Sequence, residues 1–469
     1  MAAAIASWLW RPPLFPRHRS YGGIDLRIRR RCAVARKWRP SPRPLIAPCR
    51  ASPDDKEESS KEDKGVETGG SDPPAEVSEP SKVISGSPLP GVKAPLESIK
   101  IPKEVLETIR NQIFGFDTFF ATSQEYYEAG VIFRGNMRGE PAASHAKLSS
   151  RLQEKFGDEY QLFFISDPEG DKPLAAIVRN TSLQTEPGAI PDWFTVSAFG
   201  LVSLVTIFLR NSPALQLSLL TGSFTFEQVL DAVPRALVTL SVLLAHEAGH
   251  YVAAKRNGAS IGLPYFIPSW QLGSFGGITR VTSVLKNRSE LAEIAASGPL
   301  TGAVLALAII VVGLLLTPEK GDGLLVSSSI FHDSLLVGGI AKLLLGDALK
   351  EGSTISINPV ILSAWSGLLI NAINCIPIGE IDGGRIAQAL WGRKGWSRFT
   401  GVSIALLGLT GIFSDVALYW VVLVVFLQRG PIAPLADEVT PPSSKHIVAG
   451  VSALLLSLLV CCPFPFLFA

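Results

Sequence analysis

Between residue 193 and the C-terminus the chain returns repeatedly to apolar stretches long enough to cross a bilayer. Residues 193–209, 232–254, 294–316, 357–378 and 447–468 each read as one span. Residues 399–427 suffice for one tilted span or a tight hairpin. Hydrocarbon offers no water to backbone N–H and C=O groups, so such segments fold as helices. The stretch 324–345 is diluted by His332, Asp333, Lys342 and several Ser and Gly, and is not expected to cross as a single span. The fold class expected is an α-helical polytopic membrane protein of about 6–8 transmembrane helices. A mean hydropathy of +0.30 agrees with it.

One of these spans carries chemistry. Residues 246–250 read His-Glu-Ala-Gly-His and follow directly on an apolar run from Ala236 to Ala245. Two histidines four apart project from one helix face and can bind one Zn²⁺, and Glu247 between them can serve as general base toward water. The chain has only 6 histidines, so the pattern is improbable by chance. Paired packing histidines are the plainer alternative, but ionisable groups in a membrane are costly and mark function.

Catalytic zinc takes three protein ligands. The candidate third ligand lies far downstream, in Asn374-Cys-Ile-Pro-Ile-Gly-Glu-Ile-Asp-Gly-Gly384. Pro377 and Gly379 break the helix at the end of span 357–378, which Asn371 and Asn374 already interrupt with polar side chains. Irregular backbone at membrane depth is tolerated where it is buried in protein or lines a wet cavity. Asp382 and Glu380 compete for the ligand role, and the residues alone divide the choice nearly evenly.

Basic residues fall in loops that share one side: Lys255 and Arg256; Arg280, Lys286 and Arg288; then Arg385, Arg393, Lys394 and Arg398. By the positive-inside rule these loops face one compartment. Gly298 and Gly302 form a small-xxx-small pair, for which ordinary close helix packing is expected. The apolar stretch 261–281, rich in Gly with Pro, reads as a re-entrant hairpin gating substrate entry or, equally, as a lipid-facing loop.

The first 50 residues hold 11 Arg and one Lys against a single acid, Asp25. An Arg-rich, acid-poor leader reads as an organelle transit peptide, with cleavage expected near residue 50. Serine is sparse there, so the leader alone leaves plastid and mitochondrion open. A basic tail that binds nucleic acid or membrane is the alternative. Residues 51–90 invert the character, with 10 acids, 4 lysines and no aromatic residue. Such a segment cannot bury enough apolar surface to offset its ordering entropy, so 51–98 is expected to be a disordered tether. Residues 99–190 regain globular character: helices over 102–113 and 142–156, strands over 130–133, 161–165 and 173–178. A small soluble α+β domain is expected there, and 191–469 forms the membrane domain. Net charge is +2, so no nucleic-acid partner is implied. The five cysteines (Cys32, Cys49, Cys375, Cys461, Cys462) show no Cys-x-x-Cys spacing and suggest no disulfide framework.

His246-Glu-x-x-His250 followed by Asn374-x-x-Pro377-x-x-x-x-Asp382-Gly383 resembles the site-2 protease family of intramembrane zinc metalloproteases. Gly379 stands where that family's second motif has a second proline. The resemblance covers roughly residues 232–390, and Ala296-Ser-Gly-Pro299 also resembles the start of the family's third helix. It implies that His246, His250 and Asp382 bind Zn²⁺, that Glu247 activates water, and that Asn374 orients substrate or stabilises an oxyanion. The leader, the acidic tether, Gly135-Asn-Met-Arg-Gly139 and Gly273-Ser-Phe-Gly-Gly277 resemble the plant plastid (EGY-like) branch. That branch implies a chloroplast membrane, thylakoid or inner envelope, membrane-anchored protein substrates, and a role in chloroplast development. Some members of that branch lack the zinc motif; this chain keeps it. A membrane metal carrier would need further ligands within the membrane or repeated halves. The only other membrane-region histidines are His332 and His446. A non-proteolytic scaffold would not need Glu247.

Overall fold

The computed structural model describes residues 101–127, 130–167, 172–183, 191–223, 225–317, 323–412, 415–427 and 434–465. The transit peptide expected at 1–50 and the tether expected at 51–98 lie outside the described residues.

The N-terminal part is α+β. Helix α1 (Lys103–Thr108) continues into a π turn, and α2 (Pro141–Phe156) packs on a four-stranded antiparallel sheet. Strands β1 (Phe119–Tyr127), β2 (Gly130–Met137), β3 (Tyr160–Ser166) and β4 (Pro173–Arg179) run in the order β1-β2-β4-β3. Ile109, Phe119, Phe133, Leu148, Phe164 and Ile177 are fully buried between helices and sheet. Sequence patterning misses β1, because Phe120, Tyr126 and Tyr127 lie exposed on this edge strand and blur the alternation. It also ends β2 too early. The strand runs on through Gly135, whose missing side chain lets the Phe119 ring and the Phe120 backbone close over it.

The membrane part contains α3 (Asp192–Asn211), α4 (Pro213–Thr221), α5 (Phe226–Asn257), the hairpin β5 (Tyr265–Ser269) and β6 (Gly273–Ile278), and α6 (Arg288–Leu315). It continues through β7 (Leu324–Ser327), α7 (Leu335–Leu345), β8 (Thr354–Ile357), α8 (Pro359–Asn374), α9 (Asp382–Gly411), α10 (Asp415–Leu427) and α11 (Ser444–Cys461). Among the described residues, α3, α5, α6 and α11 are long and apolar enough to cross a membrane. Local chemistry sets their ends. A Thr225–Gln228 capping box starts α5, and Gly258, at φ 70°, ends it after Lys255 and Arg256. The Asn287 side chain caps α6 by accepting from the Glu290 N–H at 3.0 Å.

Helix α8 is the hub. All residues from Ser363 to Asn374 are buried, against α5, α6 and α11. The span expected at 357–378 is therefore a helix of 16 residues followed by irregular chain. A protein-buried helix need not match the bilayer, because its ends meet protein rather than lipid. The stretch 399–427 is a hairpin: α9 kinks at Gly392 (φ 70°), and its second part turns back into α10. The stretch 324–345 is not one helix of span length. It forms β7, a 3₁₀ turn and α7, with β7 paired to β8.

A short segment ties the N-terminal part to the membrane part. Phe164 of β3 donates its N–H to the Ala436 carbonyl (2.8 Å) and accepts from the Glu438 N–H (2.9 Å). The same segment donates from Ala436 to Leu285 O and from Asp437 to Lys286 O. The N-terminal sheet thus shares a side with the basic loop before α6. The opposite side holds the β7–β8 pair and α7, where Leu335 and Phe464 join the end of α11.

Candidate metal centre

Helix α5 turns His246, Gly249, His250 and Ala253 inward as one buried stripe. The Nε2 atoms of the two histidines lie 3.0 Å apart. Asp382, the first residue of α9, brings Oδ2 to 3.1 Å from His246 Nε2 and Oδ1 to 3.3 Å from His250 Nε2. The turn through Pro377 and Gly379 (φ 47°) delivers it. Gly383 and Gly384 let the start of α9 abut the carbonyls of Cys375 and Gly379, where any Cβ would collide.

The outer nitrogens define the tautomers. Asn371 donates from Nδ2 to Gly367 O (2.8 Å), so its Oδ1 faces His246 Nδ1 at 2.7 Å and accepts the ring proton. His250 Nδ1 donates to Ile294 O at 2.7 Å. Both Nε2 atoms therefore present lone pairs to the same point as a carboxylate. Three ligand atoms lie within 4.8 Å of one another, and all three side chains are buried. Zn–N and Zn–O bonds of about 2.0–2.1 Å in a tetrahedron place ligands about 3.3 Å apart, which these separations fit. The set can hold one zinc ion and leaves a coordination position open. Glu380 is half-buried and outside the cluster.

Glu247, half-buried on the adjoining face of α5, accepts from the Thr279 hydroxyl at 2.6 Å. Asn374, for which the resemblance implies orienting substrate or stabilising an oxyanion, is the buried last residue of α8. Its Nδ2 donates to Phe275 O and Ile370 O, each at 3.0 Å, so the side chain fastens β6 to α8. The hairpin is held on its other side by α3, where Ser203, Thr206 and Arg210 donate to Phe266, Gly273 and Gln271 carbonyls. The stretch 261–281 is thus a β-hairpin packed between α3 and α8, beside the cluster.

Gly298 and Gly302 do more than allow close helix packing. A Cβ on Gly298 would fall inside the His250 ring, and one on Gly302 inside the Asn371 amide. The room between α6 and α5/α8 is filled by the cluster's own side chains. Asn371 carries a sequence signal, a polar side chain in an apolar span. Thr279 and the Ile294 carbonyl carry none, because only the fold brings them near α5.

The profile of peptidase family M50 matches residues 235–410, which include His246, Glu247, His250, Asn374 and Asp382. A chain from Arabidopsis thaliana named "Probable zinc metalloprotease EGY2, chloroplastic" is 51% identical over 418 residues, covering 82% of this chain and 75% of the relative. The chain belongs to peptidase family M50. A rice (Oryza sativa subsp. indica) protein of the same EGY2 name is 53% identical, over 82% of this chain and 71% of its own. The Arabidopsis protein named for EGY1 is 32% identical over 76% and 71%. The profile described as the EGY3 middle domain matches residues 107–187, the N-terminal α+β part. No solved structure matches.

Proposed function

We propose that this M50 member is an intramembrane zinc metalloendopeptidase that cuts membrane-anchored proteins at their transmembrane segments, in the thylakoid membrane of the chloroplast. The carrying observation is a His-His-Asp cluster sunk among helices apolar enough to cross a bilayer. The zinc metalloprotease names of relatives that match over most of their length support the same reading. Residues 1–50 serve as transit peptide, 51–98 as tether, 99–190 as soluble domain and 191–469 as the membrane protease. Helices α3, α5, α6 and α11, together with α8 continued into the first part of α9, make five crossings. The α9–α10 hairpin enters and leaves on the side of the soluble domain.

His246, His250 and Asp382 hold the metal in this reading, and Asn371 and the Ile294 carbonyl keep the imidazoles in the binding tautomer. Bound zinc supplies acidified water and a polarised scissile carbonyl. Glu247 takes a proton from the attacking water on a carboxylate oxygen and returns it to the departing amine nitrogen. Asn374 keeps β6 seated on α8 beside the reacting carbonyl. His246, His250 and Asp382 are buried, and Glu247 is the carboxylate next to them in the helix that can take the proton.

The deciding experiment is cleavage of a transmembrane reporter by the purified full chain in liposomes, with Glu247→Gln as comparison. Gln is nearly isosteric, so fold and zinc content should persist while turnover falls about 10²- to 10⁴-fold. No cleavage by the zinc-loaded wild-type chain would overturn the proteolytic reading in favour of a metal carrier, and wild-type turnover by Glu247→Gln would remove Glu247 as the base.

A further inference from the structure

We propose that Thr279 is the residue that positions the catalytic base, holding one oxygen of Glu247 so that the other faces the water. The inference rests on the reading of Glu247 given above. Glu247 neighbours His246 in sequence but leaves the buried stripe, so α5 alone does not fix its rotamer. Something outside the helix has to. The residue that follows strand β6 supplies it. The Thr279 hydroxyl donates to Glu247 Oε2 at 2.6 Å, the length of a charge-assisted O–H···O⁻ bond. Gly277, two residues earlier and within β6, leaves the space that Oε1 occupies; a Cβ there would overlap that oxygen.

Thr279 is itself held. It is buried, and its carbonyl accepts from Arg385 Nη1 at 2.7 Å. Arg385 lies three residues beyond Asp382, almost one turn along α9. One residue therefore joins the helix of the base to the helix of the third ligand. With Oε2 engaged by a hydroxyl, Oε1 is the atom left to accept a proton. The order along the chain, glycine at 277 and hydroxyl at 279, has no other use that packing requires: valine would fill the Thr279 volume equally well.

The test uses the full-length zinc-loaded protein with the transmembrane reporter. Thr279→Val keeps the shape and removes the donor. It should lower kcat about 10- to 100-fold, the cost of a misplaced catalytic group, with KM within about twofold. Zinc stoichiometry and thermal midpoint should stay at wild-type values. Thr279→Ser should recover kcat to within about threefold of wild type. Gly277→Ala should lower kcat as Thr279→Val does. In the Glu247→Gln background, Thr279→Val should add no further loss, because residues acting as one unit are not additive. Wild-type kcat in Thr279→Val, a Ser variant as poor as Val, or a loss that multiplies onto that of Glu247→Gln would each overturn the proposal. Wild-type activity in Glu247→Gln alone would instead remove the reading of Glu247 as base beneath it, and no cleavage by the wild type would remove the proteolytic reading, so these failures are separable.

Discussion

Asn371 touches no metal, yet it decides which nitrogen of His246 is available to one. Its Oδ1 takes the Nδ1 proton, and Gly367 O locks the amide in that sense. Asn371→Leu should keep the helix but release the ring. Zinc affinity is expected to fall about 10- to 100-fold, measured by competition with a chromogenic chelator. An unchanged affinity would mean that the helix alone orients the imidazole. Gly298 acts by what it lacks. Gly298→Ala would place a methyl in the His250 ring, and overpacking of this kind costs about 1–3 kcal/mol. The expected result is a lowered thermal midpoint together with partial zinc loss. Asp382→Asn should differ from both by weakening zinc retention without a packing defect, since size is kept and charge is removed.

At the level of elements, the segment Leu435–Glu438 joins three parts of the chain: the β3 edge, the loop before α6 and the kink of α9. Glu438 forms a bidentate pair with Arg393, both contacts at 2.7 Å, and also accepts from Leu435 N. Its carboxylate is almost fully buried. Arg393→Met would strand that charge at a cost on the order of 3 kcal/mol. The expected outcome is faster limited proteolysis within the segment 434–440 that bridges the N-terminal sheet and the loop before α6. Arg393→Met combined with Glu438→Gln should restore much of the resistance, because both charges are then gone. A single variant as resistant as wild type would show that the backbone bridges alone hold the joint.

For the whole molecule, the side assignment is the testable property. The β3–Ala436–Leu285 bridges place the soluble sheet and the basic loops together, and α7 with β7–β8 opposite. In intact thylakoids, cysteines introduced at Lys147 and Lys255 should both react with an impermeant maleimide added from the stroma. One introduced at Glu351 should react only after the membrane is opened. Labelling of Glu351 before opening would invert or break the proposed topology.

The sequence determined the things that depend on local spacing. Histidines at i and i+4 share a helix face in any environment, and apolar runs of span length allow few structures but helices. The break at Pro377–Gly379 was legible for the same reason, as was the α+β pattern of 99–190 apart from edge strand β1, whose exposed aromatics hide its alternation. Tertiary structure decided what depends on separations of tens to hundreds of residues. Residues 136 apart meet at Asp382 and His246 because α8 is buried on every side and ends where the chain must turn. Between Asp382 and Glu380 the geometry brings only the former into the cluster. Thr279 and the Ile294 carbonyl reach α5 only through the hairpin and α6. Whether a glycine serves packing or clears space for an imidazole is likewise invisible until the facing helix is in place, since the space belongs to both.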